Sequence, residues 1–371
     1  MNTIYLLSAD SRLEKAGGRL IVKKGEETIC RLPIKNAEAV IVGLNGHITT
    51  PVLFELLKNN CEVFFMDWQG HVKGHLENKP LRADRLLKQA MLFSAEEITL
   101  PLIKDLVREK IENQLQLLRS FKKYYPLKKA EPALKKLRQY QEKVQTAASA
   151  DELRGLEGLA ARTYFDLFPQ LLDPDRWPFH GRSQHPARDA VNALLNFGYA
   201  FLEREVRIAV AGSGLSPETG FFHSNNGRKD SLIFDLMEPF RQPIIDRFLL
   251  RSIHQGVFNA DEFVFEKDNN SVRLGAENIR RFCRKYEDYM QTPYAALENN
   301  TPREYIRQRI KAFADRIKSL TPQEEAATGE AKEKKPLSAV PSNNSLQKVG
   351  IAALTLTAGL LVRQLFTGKE A

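Results

Sequence analysis

The chain has 371 residues, 43% of them hydrophobic, which is apolar material enough for two cores and excludes a disordered protein. Its 55 Lys and Arg against 46 Asp and Glu leave a formal net charge of +9, a balance that suits a polyanionic partner and also many soluble enzymes. Cys30, Cys61 and Cys283 stand in no CxxC arrangement, which argues against a disulfide framework or a zinc ribbon and fits a reducing cytoplasm.

The first residues, MNTIYLLSADSRLEKAGGRL, carry neither a basic leader nor an apolar core followed by small residues, so no signal peptide is expected. From Thr3 to about Leu76 short apolar or alternating runs predict strands at Ile4 to Leu7, Arg19 to Lys23, Thr28 to Leu32, Ala39 to Val42 and Val63 to Met66. One helix interrupts them, with Thr50 as N-cap and Pro51 at the first helical position; Asn59 and Asn60 stop it. Residues 1–78 therefore read as a small β-rich domain. Its His47, His71 and His75 have no carboxylates beside them and are not counted as ligands.

Lys79 and Pro80 open a basic linker helix over 79–95, on which Arg82, Arg85 and Lys88 recur every three residues. That stripe reads either as nucleic-acid phosphate contacts or as the solvated face of a linker. From Glu77 to Ser149 there are 16 Lys and Arg against 9 Asp and Glu, whereas Met1 to Leu76 is nearly neutral, so the basic excess sits in this segment. A long helix from Glu96 to Tyr125 buries Ile103, Val107, Ile111, Leu115 and Leu118. The next helix carries Lys128, Lys129, Lys135, Lys136 and Arg138, either a solvated face or backbone-neutralising charge without sequence specificity.

Asp151 is expected to cap a helix whose stripe of Leu153, Leu156, Ala160, Tyr164 and Phe168 puts Glu157 at the edge of the apolar face. A carboxylate there is paired, liganded or peripheral, and periodicity alone reads it as peripheral. After a long polar loop, VNALLNFGYAFLEREVRIAV is an apolar helix central to the second core, and the whole of 96–320 reads as helical. The stretch from Gly220 to Arg247 is the chemically informative one. A short apolar run ends in His223, a polar turn follows, and Asp230 or Ser231 caps a helix that carries Asp235 and Glu238 three residues apart. One imidazole and two carboxylates can thus approach one point. Oxygen and imidazole donors without thiolate make the ligand set of a catalytic Mg²⁺ or Mn²⁺; the plain alternative is two solvated carboxylates, Glu238 paired with Arg241, beside a strand-end histidine.

The remaining residues, 321–371, begin as a Glu-, Lys-, Ala-, Ser- and Pro-rich linker and end in an uncharged run, Val349 to Val362, bracketed by Lys348 and Arg363. At 14 residues the run is shorter than the roughly 20 a membrane-crossing helix needs, so a short docking helix is favoured over a surface anchor and no obligatory membrane is expected.

Glu157 in LRGLEGLAARTYF, Asp189 and Asn192 in ARDAVNALLNFGYAFL, His223 in GFFHS, and Asp235 with Glu238 in SLIFDLMEPFR together resemble the universal CRISPR-associated integrase, the Cas-one family of spacer acquisition. The likeness runs from the β-rich domain to about Leu320. It implies an α+β fold, a small N-terminal β-rich domain followed by a larger all-helical catalytic domain. It also implies a divalent metal held by Glu157, His223 and Glu238, with Asp235 a further acidic position of the same catalytic site. The implied activity is DNA cleavage and the joining of a captured DNA fragment to a CRISPR repeat. The implied partners are a second copy, in a homodimer, and the small second CRISPR-associated protein bridging two such dimers. One departure is His185-Pro186-Ala187-Arg188-Asp189, where the family has more prolines.

Overall fold

The computed structural model describes residues 2–8, 10–67, 70, 72–76, 83–122, 127, 130–184, 186–223 and 230–320. The described residues up to 320 belong to one compact unit; the tail readings above, on 321–371, lie outside the described residues.

Eight strands and one helix build the first part: β1 Asn2–Leu6, β2 Ser11–Ala16, β3 Arg19–Lys24, β4 Glu27–Pro33, β5 Ala37–Val42, β6 His47–Ile48, α1 Thr50–Lys58, β7 Glu62–Met66 and β8 Val72–Leu76. They pair into two four-stranded sheets, β4-β3-β2-β6 and β1-β5-β7-β8. In the second sheet β1, β5 and β7 run parallel, and β8 returns antiparallel to β7. Period-two alternation lets that sheet serve two cores at once. Val40, Val42 and Val63 pack with Leu13, Leu20 and Val22 and with Val52 and Leu56 of α1. Their neighbours Ala39, Ile41, Phe64 and Met66 join the apolar cluster of the helices.

Sequence reading missed β2, β6 and β8. SRLEKA looks polar because only one of its faces is covered, and VKGHL because none of its residues is fully buried. The cap of α1 is Thr49, one residue earlier than expected, with Pro51 tolerated in the first turn where its missing N–H costs nothing.

Helices follow: α2 Ala83–Phe93, α3 Glu96–Lys122, α4 Ala130–Thr146, α5 Ala150–Leu167 and α6 Ala190–Ser213. The N-cap of α5 is Ser149 rather than Asp151. Its hydroxyl accepts from the Glu152 amide while the Glu152 carboxylate accepts from the Ala148 amide, a reciprocal arrangement that satisfies two helix-end donors. Asp189 caps α6, accepting from the Asn192 amide at 2.7 Å. The helix expected from Asp230 onward is broken into pieces. α7, Ser231–Met237, tightens to a 3-10 turn at Glu238–Phe240, loosens to a π-helical turn at Arg241–Asp246 and resumes as α8, Arg247–His254. Pro239 and Pro243 account for the breaks, since neither donates a backbone hydrogen bond. Asn113 Nδ2 donates to the Pro239 carbonyl, which Pro243 leaves without its i+4 donor, at 2.8 Å, and Tyr289 Oη donates to the Pro243 carbonyl at 3.2 Å.

One hairpin, β9 Phe263–Glu266 with β10 Ser271–Leu274, interrupts the helical run before α9 Ala276–Met290 and α10 Pro302–Leu320. The domain is therefore helical with one hairpin rather than helical throughout. Charge is buried where strands meet helices. Tyr5 of β1 donates to Glu287 of α9 at 2.5 Å, and the fully buried Arg204 of α6 pairs with Glu205 at 2.9 Å. Among the described residues no helix is long and apolar enough to cross a membrane, and Cys30, Cys61 and Cys283 are free thiols.

Candidate active site

Asp235, on α7, is fully buried, and a buried carboxylate must find donors. It finds four. Its Oδ2 accepts the amides of Phe221 at 2.7 Å and Phe222 at 3.0 Å; its Oδ1 accepts the amide of His223 at 2.8 Å and faces His223 Nδ1 at 2.5 Å. The loop before α7 is thus wrapped around one side chain. Gly220 makes this possible, because a Cβ there would lie 2.4 Å from Asp235 Oδ2. With Nδ1–H donated to the carboxylate, the other ring nitrogen of His223, Nε2, keeps its lone pair. Burial lowers the proton affinity of His223, but the hydrogen bond and charge of Asp235, with Glu238 nearby, outweigh it and hold the imidazole above its usual pKa.

Glu238 opens the 3-10 turn that follows α7 and is 4% exposed. Arg241 Nε donates to its Oε1 at 3.1 Å while the Arg241 guanidinium lies 4.5 Å over the ring of Tyr199. The Lys110 ammonium of α3 stands 2.5 Å from Glu238 Oε2 and also contacts Glu157 Oε1 of α5. Burial would raise the Glu238 carboxyl, yet Arg241 and Lys110 pull it down to about 2, so it is an anion at every physiological pH. Lys110 is correspondingly held above its ordinary range by the two carboxylates, against burial. Sequence reading missed this lysine.

Glu157, His223 and Glu238 line one cleft of about 1240 Å³. Asp235 lies behind His223 and orients it. Among the described residues no three His, Cys, Asp or Glu side chains are spaced to hold a metal ion, and Lys110 stands between the two glutamates. The donor set nevertheless fits a hard divalent cation. Glu238 Oε2 is buried with the Lys110 ammonium at 2.5 Å, so a cation already sits on it, and the imidazole is presented through its free nitrogen.

Around the carboxylates the cleft is basic, with Arg162, Arg182, Arg207 and Lys73 on its walls. Asn192 explains Arg182: the buried amide accepts from Arg182 and from the Ser183 backbone and donates to Gly181 and Asp189, pinning the loop to α6. His75, set aside in the sequence, lies on the rim through β8, and its ring stacks on Phe64. Arg85 and Lys88 are exposed on α2 and do not line the cleft; Arg82 lies outside the described residues. Lys135, Lys136 and Arg138 are exposed on α4, while Lys128 and Lys129 lie outside the described residues.

Residues 4–288 match the family described as CRISPR associated protein Cas1. The chain is 32% identical over 286 residues to a CRISPR-associated endonuclease Cas1 of Thermus thermophilus, covering 77% of this chain and 86% of that protein. It is also 32% identical over 295 residues to a Cas4 exonuclease/Cas1 endonuclease fusion of Leptospira interrogans, of which it spans about half, 54%. In shape it is similar to a casposase bound to integration product, with a TM-score of 0.76 and 22% identity over 95% of this chain and 100% of that one. It is similar also to a chain of a Cas6-RT-Cas1–Cas2 complex, with a TM-score of 0.73 and 24% identity over 86% of this chain and 35% of that one.

Proposed function

The chain belongs to the CRISPR-associated Cas1 family, and from that premise we propose that it is a divalent-metal-dependent DNA endonuclease and integrase. It inserts captured foreign DNA fragments into a CRISPR array by transesterification. The observation that carries this reading is the meeting of Glu157, Glu238 and an Asp235-oriented His223 in one basic cleft. Glu157 and Glu238 supply hard oxygen donors, and His223 supplies Nε2. Glu157, His223 and Glu238 would hold a Mg²⁺ or Mn²⁺, which would supply Lewis acidity for phosphoryl transfer. Arg241 and Lys110 bring positive charge to the carboxylates and could offset charge on a transferring phosphoryl group, and Arg162, Arg182 and Arg207 suit the flanking phosphates. The same residues with water as the nucleophile give cleavage.

The partners are DNA, a second copy of the chain and the small second CRISPR-associated protein, Cas2, which is a component of the Cas6-RT-Cas1–Cas2 complex. Ile29, Leu44 and Phe54 are 55%, 70% and 70% exposed on the β-rich part and supply apolar surface of the kind a homodimer covers. The test is strand joining: purified protein, its small partner, a repeat-containing DNA and a short duplex, with and without Mn²⁺. Metal-independent DNA binding with no turnover would make the chain a scaffold. Cleavage without joining would make it a stand-alone nuclease.

Two expectations follow from charge. To ligate, His223 must lose the proton on Nε2, and Asp235 holds that proton beyond the usual imidazole range. Activity at subsaturating Mn²⁺ should therefore rise with pH, with an acid limb centred above about 6.5. A limb at or below that value would show that His223 is not the titrating ligand. Glu in place of Arg85 and Lys88 together should weaken DNA binding about equally for all sequences and flatten its salt dependence by about two phosphate contacts. An unchanged slope in a salt titration returns α2 to a solvated linker.

A further inference from the structure

Lys110 and Gln114 stand one turn apart on the cleft face of α3, and neither role is explained by packing. The Lys110 side chain is 8% exposed, and its ammonium rests between Glu157 and Glu238, the position a cation shared by those carboxylates would take. Gln114 is fully buried, and neither its amide oxygen nor its amide nitrogen has a hydrogen-bond partner among the described residues. Native interiors rarely leave both ends of a buried amide unused. Arg241, the other buried cation at Glu238, is held differently: its Nε is bonded to Oε1 and its plane lies on Tyr199, so it has no freedom to leave.

We propose that Lys110 is a displaceable counter-ion. Its ammonium holds Glu157 and Glu238 close together before metal arrives, and it swings to the vacant Oε1 of Gln114 when a divalent cation takes the two carboxylates. This rests on the ligand set proposed above. The device solves a physical problem: two carboxylates facing one point repel each other, and without a resident cation the site would open or one of them would take up a proton. Lysine suits the task better than arginine, since its compact ammonium sits on a flexible stem with three rotatable donors. The ammonium that leaves the glutamates stays in the cleft, on the same helix face, where it remains available to a DNA phosphate.

Calorimetric Mn²⁺ titration of the metal-free, full-length protein tests this without reference to turnover. Lys110→Met, which keeps length and removes charge, should bind Mn²⁺ at least about tenfold more tightly than wild type, or about 1.4 kcal/mol. Gln114→Leu, which removes the receiving oxygen, should bind it several-fold more weakly. Damage to the fold does not tighten metal binding, so the first result separates a counter-ion from a structural lysine. Equal or weaker binding by a folded Lys110→Met protein, judged by circular dichroism, overturns the proposal. Should that variant fail to fold, unchanged affinity in Gln114→Leu overturns it. Failure of the ligand set itself looks different: wild-type Mn²⁺ binding would then be absent, or unaffected by Glu157→Gln.

Discussion

Glu157→Gln is expected to lose about a thousandfold or more in Mn²⁺-dependent cleavage and joining, equivalent to roughly 4 kcal/mol of transition-state stabilisation, while its thermal midpoint scarcely moves. Glu238→Gln should lose as much activity and also be distinctly less stable. The difference lies in burial. The side chain of Glu157 is 24% exposed, so water can solvate what Lys110 loses, whereas Glu238 is 6% exposed and is the anion shared by Lys110 and Arg241. Removing one member of such a buried group leaves uncompensated charge, at a cost of about 3–5 kcal/mol. His223→Ala should match Glu157→Gln in activity. Activity assays beside thermal melts decide the matter: full turnover by any of the three removes that residue from the site, and equal melting of the two glutamine variants contradicts the electrostatic account of Glu238.

Much of this site was legible in the sequence because its donors sit on motifs with their own local logic. His223 closes an apolar run before a polar turn, and Asp235 with Glu238 follow on one helix. Periodicity treated the two carboxylates as equivalent. Their roles separate only because the helix changes pitch at Pro239, which leaves Asp235 facing the loop behind His223 and sends Glu238 into the cleft. Asn113 and Tyr289, both distant in the chain, donate to the Pro239 and Pro243 carbonyls in this altered stretch. Lys110 was missed for another reason. Among the charges of VREKIEN it looks ordinary, yet it falls on the stripe Ile103, Val107, Lys110, Gln114, Leu118, and two polar residues inside a buried stripe were a readable sign of a site. Gly220 carried no such sign, since its necessity comes from an aspartate further along the chain that folds back against it. The strands β2 and β8 were hidden by context of the same kind, their pairing partners rather than their own residues making them strands.

Asp235→Asn separates orientation from ligation. The aspartate accepts three backbone N–H groups and the imidazole, whereas an asparagine of the same shape has one accepting oxygen and one NH₂. Whichever way the amide lies, its NH₂ faces at least one N–H donor, and the loop from Phe221 to His223 loses part of its tether. Where the NH₂ faces His223, Nδ1 loses the acceptor that holds it as the protonated nitrogen, and in either orientation the carboxylate charge is gone, so the tautomer with Nε2 free is less strongly favoured. Losses of about 10- to 100-fold in Mn²⁺ affinity are typical when such an orienting partner is removed. Because the ligand atoms themselves remain, activity should recover toward wild type as Mn²⁺ is raised, which Glu157→Gln cannot do. The acid limb should also move to lower pH, since the charge that holds the His223 proton is gone. A Mn²⁺ titration of turnover carried out at two pH values reads both effects. Activity that stays lost at every Mn²⁺ concentration would make Asp235 a ligand in its own right, and activity like wild type throughout would mean that the backbone amides alone place His223.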